Sequence, residues 1–288
     1  MNWAVTHGIV LLVGHDGLQS YGPEWDGHLL LLHGSEAERL SSLTAWIRRG
    51  LDRGDKVICA EGPRPAGGSV LDLVDGHGAD LAAAAVASGQ LAALPSDRFY
   101  PQGDQEAVVE QALAEGFPSV RLAADATAAF GTQPWPAHLD IERTIDRLCR
   151  TGPVSAVCQY AHPKIEPTML RELIEVHRYR LCNAALSVAA DPRGLTVSGE
   201  IDRRNAEVFA TAVDSAVTGG ERVLRLDLSG LEFMDVAACR QLLYATDDFR
   251  RLGGHVVLAS PQWMVSWTLR LLGVDQFTGI ELAGVSEP

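Results

Sequence analysis

At 288 residues the chain exceeds one ordinary domain, and two domains of roughly 100–200 residues are expected. Apolar residues make up 47% of it, enough for real cores, but no stretch reaches the roughly 20 uncharged apolar residues a membrane helix needs, so no membrane contact is expected. The net charge of −13, from 24 basic and 37 acidic residues, argues against nucleic acid as a partner, because phosphate contacts need clustered Lys and Arg.

Residues 1–25 show no sustained period and read as an irregular leader. The apolar run Ile9–Val13 has no basic residue before it, which makes a poor signal peptide and points to the cytoplasm. His28-Leu-Leu-Leu-Leu-His33 predicts a buried strand. Ser35 is placed to cap a helix with Leu40, Leu43, Ile47 and Leu51 at helical spacing, and Lys56–Ala60 is the next strand. A Gly/Pro-rich loop at 62–68 and a helix from Val70–Val74 follow, then a helix at Leu81–Ala87 and a strand at Leu91–Leu94. Glu106–Ala114 reads as a helix and Ser119–Ala123 as a strand. A turn-rich stretch around Trp135 precedes a helix from about Leu139 to Arg150, strand Val154–Tyr160 and helix Thr168–Val176. Strands alternating with helices in this way predict an α/β domain with a mainly parallel sheet over residues 26–180.

A second block covers residues 183–284. Ala184–Ala190 and Gly194–Glu200 predict two strands joined by a turn, followed by a helix carrying Phe209, Val213, Ala216 and Val217. Val223–Leu228 is a strand, with Ser229 and Gly230 in a turn. Asp235 caps a helix to about Leu252, Val256–Ala259 is a strand, a short helix runs through Leu271, and Phe277–Leu282 closes a compact α/β unit.

This second block resembles the STAS family, the domain shared by sulfate transporters and anti-sigma-factor antagonists. The resemblance rests on Val197-Ser-Gly-Glu-Ile-Asp202 followed by Asn205, on Leu226-Asp-Leu-Ser-Gly-Leu-Glu-Phe-Met-Asp235, and on Gly253-Gly-His-Val-Val-Leu258. It implies a binding role towards an anti-sigma factor or a related serine-kinase-like switch protein, through Asp235, Val236, Ala237, Ala238 and Arg240. Members switched by phosphorylation carry D-S-[S/T]-G at this turn. Here it reads Asp235-Val-Ala-Ala238, so the position that would take phosphate is Val236, which has no hydroxyl; Ser229 is the nearest one.

The first block resembles the MEDS sensory domain on His28–His33, Ala87-Ser-Gly-Gln-Leu91, Val120-Arg-Leu-Ala-Ala-Asp125, Glu142 and Val157-Cys-Gln-Tyr160. The resemblance implies a RecA-like sheet that senses a small molecule. Around its Asp, Ala124 and Ala128 stand where the family usually has Gly and Trp. The expected layout is an input domain before an output domain, and a homodimer is compatible with it.

Candidate ligand-binding residues are His28, Arg121, Asp125, Trp135 and Glu142, which would line a pocket at the strand ends of an open α/β sheet. The alternative is that His28 and Glu142 are hydrogen-bonded structural groups and Trp135 a hydrophobic anchor. No phosphate-binding G-x-x-x-x-G-K-[S/T] and no G-x-S-x-G occurs, so neither a nucleotide hydrolase nor a serine hydrolase is expected, and no catalytic residue or cofactor is assigned. The nine histidines lack ligand spacing and the five cysteines lack a C-x-x-C pair, so neither a metal site nor a disulfide framework is expected. Trp263 and Trp267 are expected on the domain core, or, if exposed, as a partner anchor. The competing function is a scaffold or oligomerisation protein whose first domain is vestigial.

Overall fold

The run between His28 and His33 forms strand β1, buried at all six positions as a strand covered on both faces must be. The computed structural model describes residues 26–62, 79–101, 103–129, 133–162, 165–178, 181–182, 185–191, 194–218 and 221–285. The expected leader at 1–25, nearly all of the Gly/Pro-rich loop and the helix from Val70–Val74 lie outside them. The described residues divide between Ile165 and Glu166 into two compact units.

The first unit runs β1 (His28–His33), α1 (Glu36–Asp52), β2 (Lys56–Glu61), α2 (Ala79–Ala87), β3 (Leu91–Pro95), α3 (Asp104–Ala114), β4 (Val120–Asp125), α4 (Trp135–Thr151) and β5 (Val154–Ala161). Its strands lie in the order β1-β5-β4-β2-β3 and every pair is parallel, the expected α/β arrangement. Ser35 caps α1 by accepting from Glu38 N at 3.2 Å, and the Glu38 carboxylate reaches back to Gly34 N at 2.8 Å. Strand alternation sends the side chains to two faces. In register, Leu30 and Ala124 flank Cys158, on the face that α4 covers. Arg121 and Gln159 point the other way, towards α1, where Arg121 lies over the Trp46 ring at 4.9 Å and Arg39 donates to Gln159 Oε1 at 2.7 Å.

Helix α4 starts earlier than the sequence reading placed it. Pro136 sits in its first turn, where a missing N–H costs nothing, so Trp135 is a helical residue and not part of a turn.

The second unit runs α5 (Pro167–Val176), β6 (Leu181–Cys182), β7 (Leu186–Asp191), β8 (Gly194–Ile201), α6 (Ala206–Val217), β9 (Val223–Met234), α7 (Val236–Ala245), α8 (Asp247–Arg251), β10 (His255–Ala259), α9 (Trp263–Leu271) and β11 (Ile280–Ala283). The order is β6-β7-β8-β9-β10-β11, antiparallel through β8 and parallel from β8 to β11. Helix α5 is tied to α6 by Arg171 and Asp214 at 2.6 Å.

Three local expectations change here. The turn expected at Ser229-Gly230 is instead the middle of β9, which bends through register shifts against β8. A Cβ on Gly230 would sit 2.7 Å from Ser198 Cβ, so the two strands approach closely only because that residue is glycine. The single helix expected to Leu252 breaks at the buried Thr246, whose hydroxyl donates to Leu242 O at 2.8 Å, while Arg250 donates to Thr246 Oγ1 at 3.1 Å and to Leu243 O at 3.0 Å. Trp263 and Trp267 are not on the core: they are 46% and 51% exposed, while Val265 and Leu269 on the other side of α9 are fully buried.

Candidate functional site

The turn between β9 and α7 is built around Asp235. One carboxylate oxygen accepts from Ala238 N at 2.8 Å, the N-cap bond that a helix start requires. The other accepts from Arg203 N at 3.0 Å, in the loop between β8 and α6. Asn205 holds the same loop, accepting from Asp202 N and donating to Glu200 O, both at 2.9 Å, and makes no helix-cap bond itself.

Outward from this clamp, Val236 is 54% exposed and Tyr244 66% exposed. Arg240, also exposed, lies between them at helical spacing, so one stripe of α7 faces solvent. Exposed Arg203 adjoins it through its backbone N–H, which donates to Asp235. Ala237 is half-buried. Ala238 is fully buried, so of the five candidate contact residues it offers no side-chain surface and serves through its backbone N–H. Ser229 is exposed on β9, its N–H bonded to Asp227 Oδ1 at 3.0 Å.

The ligand candidates of the first unit fall in different places. Under α4, His28 Nε2 lies 3.2 Å from Glu142 Oε2 and 3.4 Å from Cys158 Sγ, with all three residues buried. Tyr160 donates to Glu142 Oε1 and meets His138 Nε2 at 2.6 Å; Trp135 stacks on the His138 ring at 5.4 Å. Burial pushes the Cys158 thiol and the Tyr160 hydroxyl well above their ordinary values, with the Glu142 charge acting the same way. Tyr100, 5% exposed, has a hydroxyl without a hydrogen-bond partner among the described residues; burial and then the charges of Cys158, Glu142 and Asp125 push it up. Buried His28 and Glu142 and half-buried Trp135, the first residue of α4, are thus joined in one cluster through Tyr160 and His138.

Arg121 is elsewhere. Its guanidinium donates to Asp55 Oδ2 at 2.7 Å and to Asp26, on the α1 face, and acts as a strut. Asp26 in turn also binds Arg49 and Arg53; burial alone would raise its pKa, but these arginines outweigh it and hold the carboxyl below the usual range. Asp125 ends β4 within the electrostatic reach of Arg39. Cys158, Tyr160, His138 and Tyr100 were not candidates. Two spacings carried the signal: Cys158 and Tyr160 share one face of a strand, and His138 and Glu142 stand four apart on a helix.

The profile of the methanogen/methylotroph, DcmR sensory domain (MEDS) matches residues 27–178, and that of the STAS domain matches residues 186–283. No curated protein matches the chain. Among solved structures, the anti-sigma factor antagonist SpoIIAA in its unphosphorylated form is 18% identical, with 34% of this chain and 88% of that chain covered and a TM-score of 0.29. An anti-sigma factor antagonist from Mycobacterium paratuberculosis is 24% identical over 33% of this chain and 83% of that one, with a TM-score of 0.28. The Bacillus cell fate determinant SpoIIAA in its phosphorylated form is 17% identical over 34% and 91%, with a TM-score of 0.28.

Proposed function

This chain belongs to the MEDS family and carries a STAS domain after that sensory domain, and from that premise we propose that it is a cytoplasmic, non-enzymatic signalling regulator of the anti-sigma-factor-antagonist type. Its STAS domain docks an anti-sigma factor or a related serine-kinase-like switch protein, and its first domain sets that docking in response to a small molecule. The partner class follows from the STAS resemblance. The observation that carries the reading is Val236: the first residue of α7, 54% exposed, apolar, and held in place by the two bonds of Asp235.

A hydroxyl at that position could take phosphate, adding about −1.5 to −2 charges and blocking an apolar contact. Valine removes that input, so control passes to the sensory domain. Such control needs a ligand that favours one state of the protein by a few kcal/mol. No helix among the described residues is long and apolar enough to cross a membrane, which is compatible with the cytoplasmic reading. Titration of purified serine-kinase-type anti-sigma factors from the same genome tests the docking step: saturable binding is expected, and absence of binding by every one of them contradicts it.

A second reading is favoured by α9. Trp263, Trp267 and Leu271 stand four apart and are 46%, 51% and 65% exposed, a stripe suited to a scaffold that assembles with itself. Native mass spectrometry separates the two readings. A homo-oligomer lost in Trp267→Ser, with no binding of any switch protein, favours the scaffold.

A further inference from the structure

Three elements that are distant in sequence deliver three metal-type ligand atoms to one buried point. His28 comes from the start of β1, Glu142 from the middle of α4 and Cys158 from β5. The ligand atoms lie within 4.8 Å of one another, with His28 Nε2 at 3.2 Å from the carboxylate and 3.4 Å from the sulfur. A tetrahedral ion bound at about 2.0–2.1 Å by N and O and about 2.3 Å by S sets its ligand atoms about 3.3–3.6 Å apart. The two observed separations need to open by only a few tenths of an ångström to fit.

We propose that the first unit binds a divalent transition-metal ion of the zinc class, with His28 Nε2, Glu142 Oε2 and the Cys158 thiolate as the donors this unit supplies. This rests on reading the first unit as the sensory half and gives that half its chemistry. The sulfur and imidazole donors select zinc-like ions over calcium or magnesium, which take oxygen ligands. Binding forms an M–S bond and releases the Cys158 proton to solvent, so uptake weakens as the pH falls.

The outer groups suit the role. Tyr160 donates to the second Glu142 oxygen, and His138 Nε2 meets the Tyr160 oxygen at 2.6 Å, which fixes the carboxylate that faces the ion. The Tyr100 hydroxyl is an independent pointer. It is 5% exposed, and among the described residues its hydroxyl has no hydrogen-bond partner, a buried polar group of the kind a bound ligand satisfies.

The test uses the full chain, stripped with chelator and titrated with Co²⁺ and, in competition, Zn²⁺. Stoichiometric uptake with a thiolate-to-cobalt charge-transfer band is expected, and the band disappears in Cys158→Ala. A second variant guards against misfolding: with Cys59, Cys149, Cys182 and Cys239 all changed to Ala, the band remains. Tyr160→Phe weakens uptake by ~10–100-fold. The proposal is overturned if the stripped chain takes up neither ion, if the band survives in Cys158→Ala, or if it is lost in the four-cysteine variant. Partner binding by the metal-free chain is measured separately, so failure here leaves the docking reading standing, and the reverse.

Discussion

Asp235 accepts a hydrogen bond at 3.0 Å from the backbone N–H of Arg203, thirty-two residues earlier in the chain, while also capping α7 through Ala238 N at 2.8 Å. One carboxylate thus joins two loops of the STAS domain and presents the first turn of α7. Losing the cap costs about 0.5–2 kcal/mol. Asp235→Ala therefore lowers the unfolding free energy of the second unit by about 1–2 kcal/mol, and Asp235→Asn by less, since its one carbonyl oxygen can still cap. Urea denaturation checks this. Equal stability of wild type and Asp235→Ala would contradict the clamp.

Gly50 gives a second prediction. Helix propensity favours alanine over glycine inside α1 by about 1 kcal/mol. A Cβ at Gly50, however, would lie 2.4 Å from Arg121 Cδ and 3.1 Å from Val57 Cγ2. Arg121 cannot yield, because Asp55, Asp26 and the Trp46 ring hold it. Overpacking wins, and Gly50→Ala destabilises the first unit by about 1–3 kcal/mol. A thermal melt in which the variant is more stable than wild type would refute this.

His33 sets a pH dependence. Burial, helped by the Arg39 cation and opposed by Glu36 and Glu38, pushes its pKa down from 6.5 to about 4. The folded state thus keeps His33 neutral where the unfolded chain protonates it. The stability is full above about pH 6.5, falls as the pH drops towards 4, and changes no further below that. The loss is at most about 3 kcal/mol. His138, also lowered by burial, acts with the same sign. Urea midpoints at pH 7.5 and pH 5 should fall further in wild type than in His33→Asn. Parallel falls would remove His33 from the account.

Val236→Ser restores a hydroxyl at the first position of α7, on an exposed site where it costs little stability. A serine-kinase partner should then phosphorylate the variant and release it, while leaving wild type unmodified. Phosphate transfer is read by intact mass. Modification of wild type at Ser229 instead would relocate the switch.

The α/β alternation, the Ser35 cap and the parallel first sheet could be read from the sequence because each depends on local pattern, either apolar runs of strand length or a capping residue before a periodic helix. The run of β9 through Ser229-Gly230 could not be, because Gly230 is a turn residue by composition and a strand residue only where Ser198 packs against it. The break at Thr246 was hidden for a similar reason: the bonds that end α7 come from a side chain in α8. At the start of α7 the motif named the cap Asp235 and the exposed Val236 and Arg240, while helical phase buries Ala238. In the first unit the sequence named His28 and Glu142 but not Cys158. Cys158 joins them only through the pairing of β1 with β5, a tertiary fact.

The docking claim is tested most directly by calorimetric titration of the chain and of Val236→Asp with a serine-kinase-type anti-sigma factor from the same genome. Saturable binding by wild type is expected, with a loss of at least about tenfold in the variant, equivalent to about 1.4 kcal/mol, at unchanged thermal stability. Equal affinity of the two proteins would contradict the account.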